Sequence, residues 1–263
     1  MLKLPSSSDA YLLFSDLDST LIYSHRHVHD DSCVWVEELK GKQQSFMTAA
    51  AYRFFAQQHS LRAVPVTTRD HAQYARLSSL AEAMGWEHAL ICNGAVLLSG
   101  GAEDMLWHED SERLSAPDQP HLAKLRQLAE NKDGTEAVIR SDPFMFYVRA
   151  ENTDETYPLL KSAADPEHIA VYRDSRKVYC IPHSLSKGSA VRRYCSRFGY
   201  DSFMAAGDSV FDISMLSAAA ESFCPEALAP FVHTHGKLHI CTGRFSDSLC
   251  GEVEKTITEE KLP

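Results

Sequence analysis

The first buried strand of the sequence ends in two aspartates, and this ending constrains the fold more than any other feature. An apolar run, Tyr11–Ser15, leads directly into Asp16 and Asp18. Such a run is typical of a strand buried on both faces of a parallel sheet. Side chains two apart share a face, so both carboxylates are expected at the carboxyl end of the strand, where open α/β sheets bind ligands. Their mutual repulsion predicts a compensating divalent cation such as Mg²⁺.

Three further apolar runs are predicted to enter the same sheet, each followed by residues with polar side chains or glycine. They are Leu61–Val66 before Thr67, His88–Cys92 before Asn93, and Ser202–Ala206 before Gly207 and Asp208. Helices are predicted at 49–58, 72–84, 187–198, 210–220 and 246–258, with short strands at 222–224 and 238–241. Alternating strands and helices are typical of α/β proteins, so a Rossmann-like parallel core is expected.

Between residues 95 and 182 the sequence changes to an antiparallel pattern. Strands are predicted at 137–140, 144–149, 169–173 and 177–181, and helices at 121–131 and 153–164. This pattern indicates an antiparallel sheet with helices on one face. The chain is therefore predicted to have a core formed by residues 1–94 and 183–263 and an inserted α+β cap formed by residues 95–182. A cleft between two domains is a common small-ligand site.

A hairpin is predicted between the first strand and the first helix. Residues 33–39 and 43–47 form its strands, Thr48 is expected to cap the helix that follows, and the hairpin can act as a flap beside the sheet edge. The segment before it is rich in metal-ligating side chains: His25, His27, His29, Asp30 and Asp31. Alternating histidines can bind zinc, but contact with solvent or substrate is the interpretation that we prefer.

Charge and cysteine content narrow the partners and the location. The 263 residues carry a net charge of −10, which argues against nucleic acid or an anionic membrane as the main partner. The sequence shows neither an apolar run of roughly 18 residues nor an apolar signal peptide at its start. The seven cysteines form no Cys-x-x-Cys pair, which favours a reducing cytoplasm. We expect a cytoplasmic monomer or homodimer.

The two aspartates after the first strand suit the transfer of a phosphoryl group. This reaction depends mainly on positioning and on neutralising charge. Asp16 is the expected nucleophile, because an aspartyl-phosphate splits one difficult displacement into two easier ones. Asp18 can protonate the leaving oxygen and later deprotonate water.

Residues after the other strands are expected to complete this site. Thr67 offers a hydroxyl and backbone N–H groups to a phosphate oxygen. Lys187 offers a cation that offsets the charge of the phosphoryl group. Asp208 can complete a Mg²⁺ shell, and Asp212, one helical turn on, faces back toward it. The expected Mg²⁺ ligands are therefore Asp16, Asp18, Asp208 and Asp212.

In their order along the chain, these residues resemble the motifs of the haloacid dehalogenase-like phosphatases. The matches are D-x-D-x-T at Asp16, Asp18 and Thr20, the second motif at Thr67 and Arg69, the third at Lys187, and G-D-x-x-x-D at Gly207, Asp208 and Asp212. The segment 93–95 (Asn-Gly-Ala) resembles the entrance to the cap in the Cof-type branch. The resemblance implies a C2-type cap, Mg²⁺ as cofactor and a small phosphorylated substrate.

Several residues are candidates for contact with phosphate or substrate. Ser19 and Thr68 stand where the family pattern has glycine, which is expected to narrow the phosphate pocket. Arg69 and Asn93 are expected beside that pocket. In the cap, Arg140 and Arg149 can grip a second phosphate or a carboxylate, with Tyr147 and Tyr179 nearby, or they can be surface charges and sheet aromatics.

The function predicted from the sequence is therefore a Mg²⁺-dependent phosphatase that acts on a small metabolite such as a sugar phosphate. The cap is expected to close over the cleft and exclude water. One alternative is a phosphomutase, in which the aspartyl-phosphate returns its phosphoryl group to the sugar. The other is a binding protein without turnover, against which the intact motif residues argue.

Overall fold

The strands form one parallel sheet and three smaller antiparallel sheets in the part of the chain that the structure describes. This computed structural model describes residues 11–27, 32–141 and 143–260. In chain order the strands are β1 (Tyr11–Ser15), β2 (Tyr23–Ser24), β3 (Cys33–Leu39), β4 (Lys42–Thr48), β5 (Leu61–Pro65), β6 (His88–Ile91), β7 (Val96–Ser99), β8 (Ala102–Glu103), β9 (Thr135–Ser141), β10 (Met145–Ala150), β11 (Ile169–Asp174), β12 (Lys177–Pro182), β13 (Met204–Ala206), β14 (Glu221–Pro225) and β15 (Lys237–Cys241). The α-helices are α1 (Ala49–Gln57), α2 (His71–Ala75), α3 (Ser78–Ala83), α4 (Met105–Ser115), α5 (Gln119–Glu130), α6 (Thr153–Ala163), α7 (Lys187–Phe198), α8 (Ile213–Leu216) and α9 (Phe245–Glu260).

The first strand lies inside a five-stranded parallel sheet with the order β15–β14–β13–β1–β5. Leu13 of β1 pairs with Met204 of β13, and Tyr11 pairs with Leu61 of β5. Leu13 and Phe14 are fully buried in different hydrophobic clusters, one on each face of the sheet. Burying a side chain of this size contributes about 1.5–3 kcal/mol, which is why the strand is apolar at consecutive positions. The predicted Rossmann-like parallel core is confirmed.

The strand that follows α3 joins the parallel sheet through one bridge, between Val66 and Leu90. β6 otherwise pairs antiparallel with β7, and α4 packs on these elements. The indole Nε1 of Trp107 in α4 donates to the carbonyl of Gly94 over 3.1 Å. The domain division at residue 95 stays a prediction, and these contacts favour a boundary after α4.

The inserted segment forms an antiparallel sheet in the order β11–β12–β10–β9. The side chains of Phe146 and Val148 are buried between this sheet and the helices α5 and α6. On the opposite face, Tyr147 and Tyr179 pair directly across β10 and β12 and pack against Phe211 of the core. The predicted α+β insert with its helices on one face is confirmed.

Two helices are shorter than the sequence predicts, and tertiary contacts account for both differences. The helix expected at 72–84 is divided into α2 and α3, because the chain turns at Leu77, whose side chain is fully buried. Of the helix expected at 210–220, only the part that forms α8 is helical. Before it, Phe211 packs against the cap, and the carboxylate of Asp212 accepts hydrogen bonds from the preceding loop.

The predicted hairpin is formed by β3 and β4 and is joined by β2. Thr48 caps α1, since its Oγ1 accepts a hydrogen bond from the N–H of Ala51 over 3.1 Å. His29, Asp30 and Asp31 lie outside the described residues.

All seven cysteines are free thiols, and all but Cys33 are buried. Within the described ranges, no helix combines the length and the apolar content that crossing a membrane requires.

Candidate active site

A buried lysine lies between two aspartates at the carboxyl edge of the parallel sheet. Lys187, the first residue of α7, is 1% exposed. Its Nζ donates to Oδ1 of Asp16 over 2.7 Å and to Oδ1 of Asp212 over 2.6 Å. Asp16 directly follows β1, and its backbone N–H donates to the carbonyl of Ala206 at the end of β13. The structure therefore assembles this group where two adjacent parallel strands end.

The loop that precedes Asp212 holds its carboxylate in place. Oδ2 of Asp212 accepts hydrogen bonds from the backbone N–H groups of Asp208, over 3.1 Å, and Ser209, over 3.0 Å. Gly207 allows this approach, because a Cβ at that position would lie 2.4 Å from the Cβ of Asp212. The glycine of the fourth motif is therefore required by packing against the last aspartate of the same motif.

Burial changes the proton affinities of the charged groups in this site. The pKa of Asp16 lies well above its ordinary range, mainly because of burial, with Asp212 and Asp208 adding to the effect and Lys187 opposing it. Burial, followed by the charge of Asp212, raises the pKa of Asp208 from 3.8 to about 7. Burial alone would lower the pKa of Lys187, but the attraction of Asp16 and Asp212 raises it. The lysine therefore stays protonated at neutral pH.

Three carboxylates share this site with one ammonium group. Oxygen atoms of Asp16, Asp208 and Asp212 lie within 4.8 Å of one another. Thr20 orients one of them, because its Oγ1 donates to Oδ1 of Asp208 over 3.0 Å. The excess of negative charge over Lys187 and the hard oxygen donors fit Mg²⁺.

The carboxylate of Asp18 lies outside this group of three. Both of its oxygens accept hydrogen bonds from Arg69, from Nε over 2.7 Å and from Nη2 over 2.8 Å. Arg69 also donates to Glu37 of β3. The side chain of Asp18 is 54% exposed, whereas that of Asp16 is 10% exposed. Asp18 was expected among the metal ligands, and the structure instead places its side chain in an ion pair with Arg69.

The residues that follow β5 and β6 are tied to each other. The backbone N–H of Asn93 donates to the carbonyl of Thr67 over 2.8 Å, and Oγ1 of Thr67 accepts from the N–H of Arg69. Nδ2 of Asn93 donates to the carbonyl of Leu185, while its buried Oδ1 has no hydrogen-bond partner among the described residues. Asn93 has a φ of 60°, a left-handed conformation that asparagine tolerates better than most residues.

A comparison with protein families identifies the chain from its sequence. The model of a family described as haloacid dehalogenase-like hydrolases matches residues 95–227, just over half of the chain. The chain belongs to this family. The matched region contains α7 with Lys187 and the loop with Asp208 and Asp212. A comparison with curated proteins gave no match.

Solved structures share the fold of this hydrolase over nearly its whole length. The sucrose-phosphatase from Synechocystis sp. PCC6803, solved with sucrose and phosphate, has a TM-score of 0.63 at 16% identity, covering 94% of this chain and 97% of that one. The HAD subclass IIB sugar phosphatase BT4131 has a TM-score of 0.63 at 14% identity, covering 94% and 99%. The protein 0175 of Thermoplasma acidophilum has a TM-score of 0.61 at 11% identity, covering 95% and 99%. At such identities the likeness shows the fold alone.

The cap of this haloacid dehalogenase-like hydrolase presents aromatic and basic side chains on its core-facing side. The hydroxyl of Tyr147 lies 3.5 Å from Nε2 of Gln73 in α2. Nζ of Lys177 lies 4.9 Å from the centroid of the Tyr147 ring. Burial lowers the pKa of Lys177, and the charges of Asp174 and then Asp18 oppose this effect in part. Arg149 pairs directly with Lys177 and therefore shares this face.

Arg140 lies on the other face of the cap sheet. It pairs directly with Phe146, whose side chain is buried toward α5 and α6. Directly paired residues share a face, so Arg140 is directed away from the face that carries Tyr147. The structure thus brings Arg149 toward the core and does not bring Arg140 there.

The two residues that replace glycines of the family pattern behave differently. Ser19 has a φ of 63°, in the region that glycine enters without strain. Thr68 is partly buried, and its side chain lies near the hydroxyl of Tyr179 in the cap, whose pKa it lowers slightly against the larger effect of burial. Thr68 therefore places the second motif of the core beside the cap.

Three residues near the site were missed by the sequence reasoning. Glu37 is a charged residue inside a predicted flap strand, and the sequence gives no signal that its side chain is buried. Lys177 alternates with Tyr179 along β12 and so shares its face. Phe211 lies inside the fourth motif, but the helix predicted there concealed its contact with the cap.

The zinc alternative for the histidine segment stays a prediction, because His29, Asp30 and Asp31 lie outside the described residues. The two groups of metal-ligating side chains found within the described ranges do not include His25 or His27. The second group consists of His121, Asp165 and His168. Its two imidazole rings are stacked at 4.1 Å with an interplanar angle of 12°.

Proposed function

We propose that this hydrolase is a Mg²⁺-dependent phosphatase that acts on a small phosphorylated metabolite of the sugar phosphate type through an aspartyl-phosphate. The observation that carries the proposal is the contact of buried Lys187 with both Asp16 and Asp212. A fixed ammonium group there orients a carboxylate nucleophile and offsets the charge of an incoming phosphoryl group. Asp208 adds a third carboxyl group to the single ammonium group of Lys187. An ion pair with a purely structural role would not need this additional carboxyl group.

Asp16 supplies the nucleophilic oxygen in this proposal. Its carboxylate attacks phosphorus, the bond from phosphorus to the leaving oxygen breaks, and an aspartyl-phosphate forms. Water then attacks the same phosphorus, which releases inorganic phosphate and restores the carboxylate. Lys187 limits the rotation of the Asp16 side chain, so the reacting oxygen is positioned before the substrate arrives.

Asp18 supplies the proton for the leaving oxygen and then accepts a proton from the attacking water. Its carboxylate is much more exposed than that of Asp16 and belongs to a different hydrogen-bond network. Two carboxylates in different environments can take different roles in one reaction.

Asp16, Asp208 and Asp212 are the residues that would hold Mg²⁺. When bound, the cation neutralises charge on the phosphoryl oxygens. The protein prepares these side chains without it: Thr20 orients Asp208, and backbone N–H groups orient Asp212.

The cap supports the choice of a sugar phosphate as substrate. The rings of Tyr147 and Tyr179 lie 5.1 Å apart on its core-facing side, where they pack against Phe211, and they would offer apolar surface to a sugar ring when the cap moves away from the core. Lys177 and Arg149 offer hydrogen-bond donors to its hydroxyl groups. The sucrose-phosphatase and the sugar phosphatase that share the fold support the same class. The free buried thiols support a cytoplasmic location.

The proposal is tested by measuring phosphate release from sugar phosphates, nucleotides and phosphoglycerate esters, with Mg²⁺ and with a chelator. We expect Mg²⁺-dependent release from at least one sugar phosphate, and a loss on the order of 10³-fold or more in Asp16→Asn. Release by this variant at the wild-type rate would overturn the assignment of the nucleophile. Formation of an isomer with little phosphate would instead support a phosphomutase, and tight binding without turnover a binding protein.

A further inference from the structure

A buried glutamate of the hairpin β3–β4 lies at the centre of a network of hydrogen bonds. Glu37 is 4% exposed. Its carboxylate accepts from Nη1 and Nη2 of Arg69, both over 3.0 Å, from Nε of Arg76 over 2.7 Å, and from Oγ of Ser45 over 2.5 Å. Burial alone would raise the pKa of Glu37, but these donors lower it to about 2. The side chain is therefore a fully bonded carboxylate at neutral pH.

Arg69 connects this carboxylate to that of Asp18. Its Nε and Nη2 donate to the two oxygens of Asp18, and its Nη1 and Nη2 donate to the two oxygens of Glu37. A guanidinium group is planar and its N–H donors are fixed in direction, so a carboxylate held on one edge sets the direction of the other edge. Glu37 thus determines where Arg69 directs Asp18.

We infer that Glu37 is a positioning residue for catalysis: it fixes the guanidinium group of Arg69, which holds the carboxylate of Asp18 where it can protonate the leaving oxygen. The inference rests on the proposed phosphatase function, because the proton transfer that it describes is the role of Asp18 in that reaction. Glu37 itself touches no reacting atom.

The geometry separates this role from simple anchoring of the hairpin. Arg76 also binds Glu37 and joins the hairpin to the C-terminal end of α2, and within the described ranges it forms no hydrogen bond or ion pair with Asp18. A buried ion pair contributes little to stability compared with well-packed apolar residues. Anchoring of the hairpin alone would therefore not require Arg69 in addition to Arg76. It would also not require a guanidinium group whose N–H donors are shared between Asp18 and Glu37. Arg76 provides the matched control, since its loss weakens the anchor and leaves the contact between Arg69 and Asp18 in place.

The experiment compares Glu37→Gln with Arg76→Gln on two kinds of phosphate ester. An alkyl phosphate expels a basic alkoxide and needs the proton from Asp18, whereas p-nitrophenyl phosphate has a leaving group that departs without one. We expect Glu37→Gln to lower kcat/KM for the alkyl ester by about 10-fold or more while changing kcat/KM for the aryl ester much less. The ratio kcat/KM is the measure used, because it covers the steps up to departure of the leaving group and leaves out the later attack of water, which both esters share. Arg76→Gln should change kcat/KM for neither ester, although it lowers stability. A purely structural role predicts equal losses for both esters.

Two further variants keep the inference testable. If Glu37 acts through Arg69, adding Glu37→Gln to Arg69→Lys should produce no further loss on the alkyl ester. If Glu37→Gln does not fold, Glu37→Asp keeps the charge but shortens the reach, and the same selective loss is expected. Equal losses on both esters, or no loss, would overturn the inference about Glu37. The proposed phosphatase function would still stand in that case, provided that the wild-type protein hydrolyses the esters. Wild-type protein that hydrolyses neither ester would overturn the proposed function itself.

Discussion

Nζ of Lys187 donates a hydrogen bond to Oδ1 of Asp16 over 2.7 Å, although 171 residues separate the two along the chain. The same ammonium group binds Asp212, so it joins the end of β1 to the loop after β13. Each partner is buried, and each needs the other, because an isolated charge at this depth costs several kcal/mol or more. The candidate nucleophile and the packing of the core therefore depend on one lysine.

Replacing Lys187 by methionine is expected to lower the free energy of unfolding by about 3–5 kcal/mol, because buried carboxylates lose their cation. The loss should be smaller at acidic pH, where Asp16 is protonated, since its pKa is already raised. Urea unfolding of the wild type and the variant at about pH 5 and about pH 8 measures both effects. Adding Asp212→Asn should restore part of the stability without restoring activity. An equal loss at both pH values would contradict the electrostatic account.

Mg²⁺ is expected to stabilise the protein in a way that depends on Asp208. Its pKa is raised from 3.8 to about 7, so the folded state binds this proton more tightly than the unfolded state. Stability of the metal-free protein should therefore fall as the pH rises from about 4 to about 7. Mg²⁺ at about 100 times its dissociation constant should add about 2.7 kcal/mol, and less at acidic pH, where protons compete.

Thermal unfolding with Mg²⁺ or chelator across this pH range measures the effect, and Asp208→Asn is its control. The variant should lose much of the pH trend and of the stabilisation by Mg²⁺. Equal stabilisation of the variant and the wild type would place the cation elsewhere.

Gly207 can be tested against a glycine that has no close neighbour. A Cβ on Gly207 would lie 2.4 Å from the Cβ of Asp212, whereas one on Gly251 would meet nothing within 4 Å. We expect Gly207→Ala to cost about 1–3 kcal/mol and to lower activity, because Asp212 must move. Gly251→Ala lies inside α9 and should stabilise the protein by about 0.5–1 kcal/mol. Chemical unfolding and phosphate release separate the two, and similar effects of both variants would rule out the steric argument.

The sheet and its active edge follow from local sequence patterns. The apolar run before Asp16 requires burial on both faces, which a parallel sheet with helices on both sides provides. The insert is recognisable because its residues alternate with the period of a half-buried strand. These features depend on residues close together in the chain, and the structure reproduces them.

Contacts between distant residues could not be predicted in the same way. The face on which Arg140 lies depends on strand register, and a shift of one residue reverses it. The ion pair of Arg69 with Glu37 joins two segments whose relative position no local pattern specifies. Phe211 leaves the predicted helix because aromatic residues of the cap offer it a partner. Each difference arises where tertiary packing outweighs a local preference.

The contact between Phe211 and the cap predicts how packing of the cap on the core contributes to substrate binding. The ring centroid of Phe211 lies 4.7 Å from that of Tyr172 and 5.1 Å from that of Tyr179. Two aromatic pairs contribute about 1–3 kcal/mol beyond the area that they bury. Phe211→Ala should therefore reduce the fraction of molecules in which the cap is packed on the core. Part of the free energy of substrate binding must then be used to bring the cap onto the core, which weakens the apparent affinity.

We expect KM to rise roughly 10-fold in Phe211→Ala, with a smaller change in kcat once substrate has closed the cap. Phe231 is the matched control, because it is 60% exposed and its replacement by alanine should change stability by about 0.5 kcal/mol or less. Steady-state kinetics of both variants on the preferred substrate measures the difference. A fall in kcat with an unchanged KM would show that Phe211 acts on the neighbouring Asp212, and through it on the chemical step, because closure affects binding before it affects chemistry.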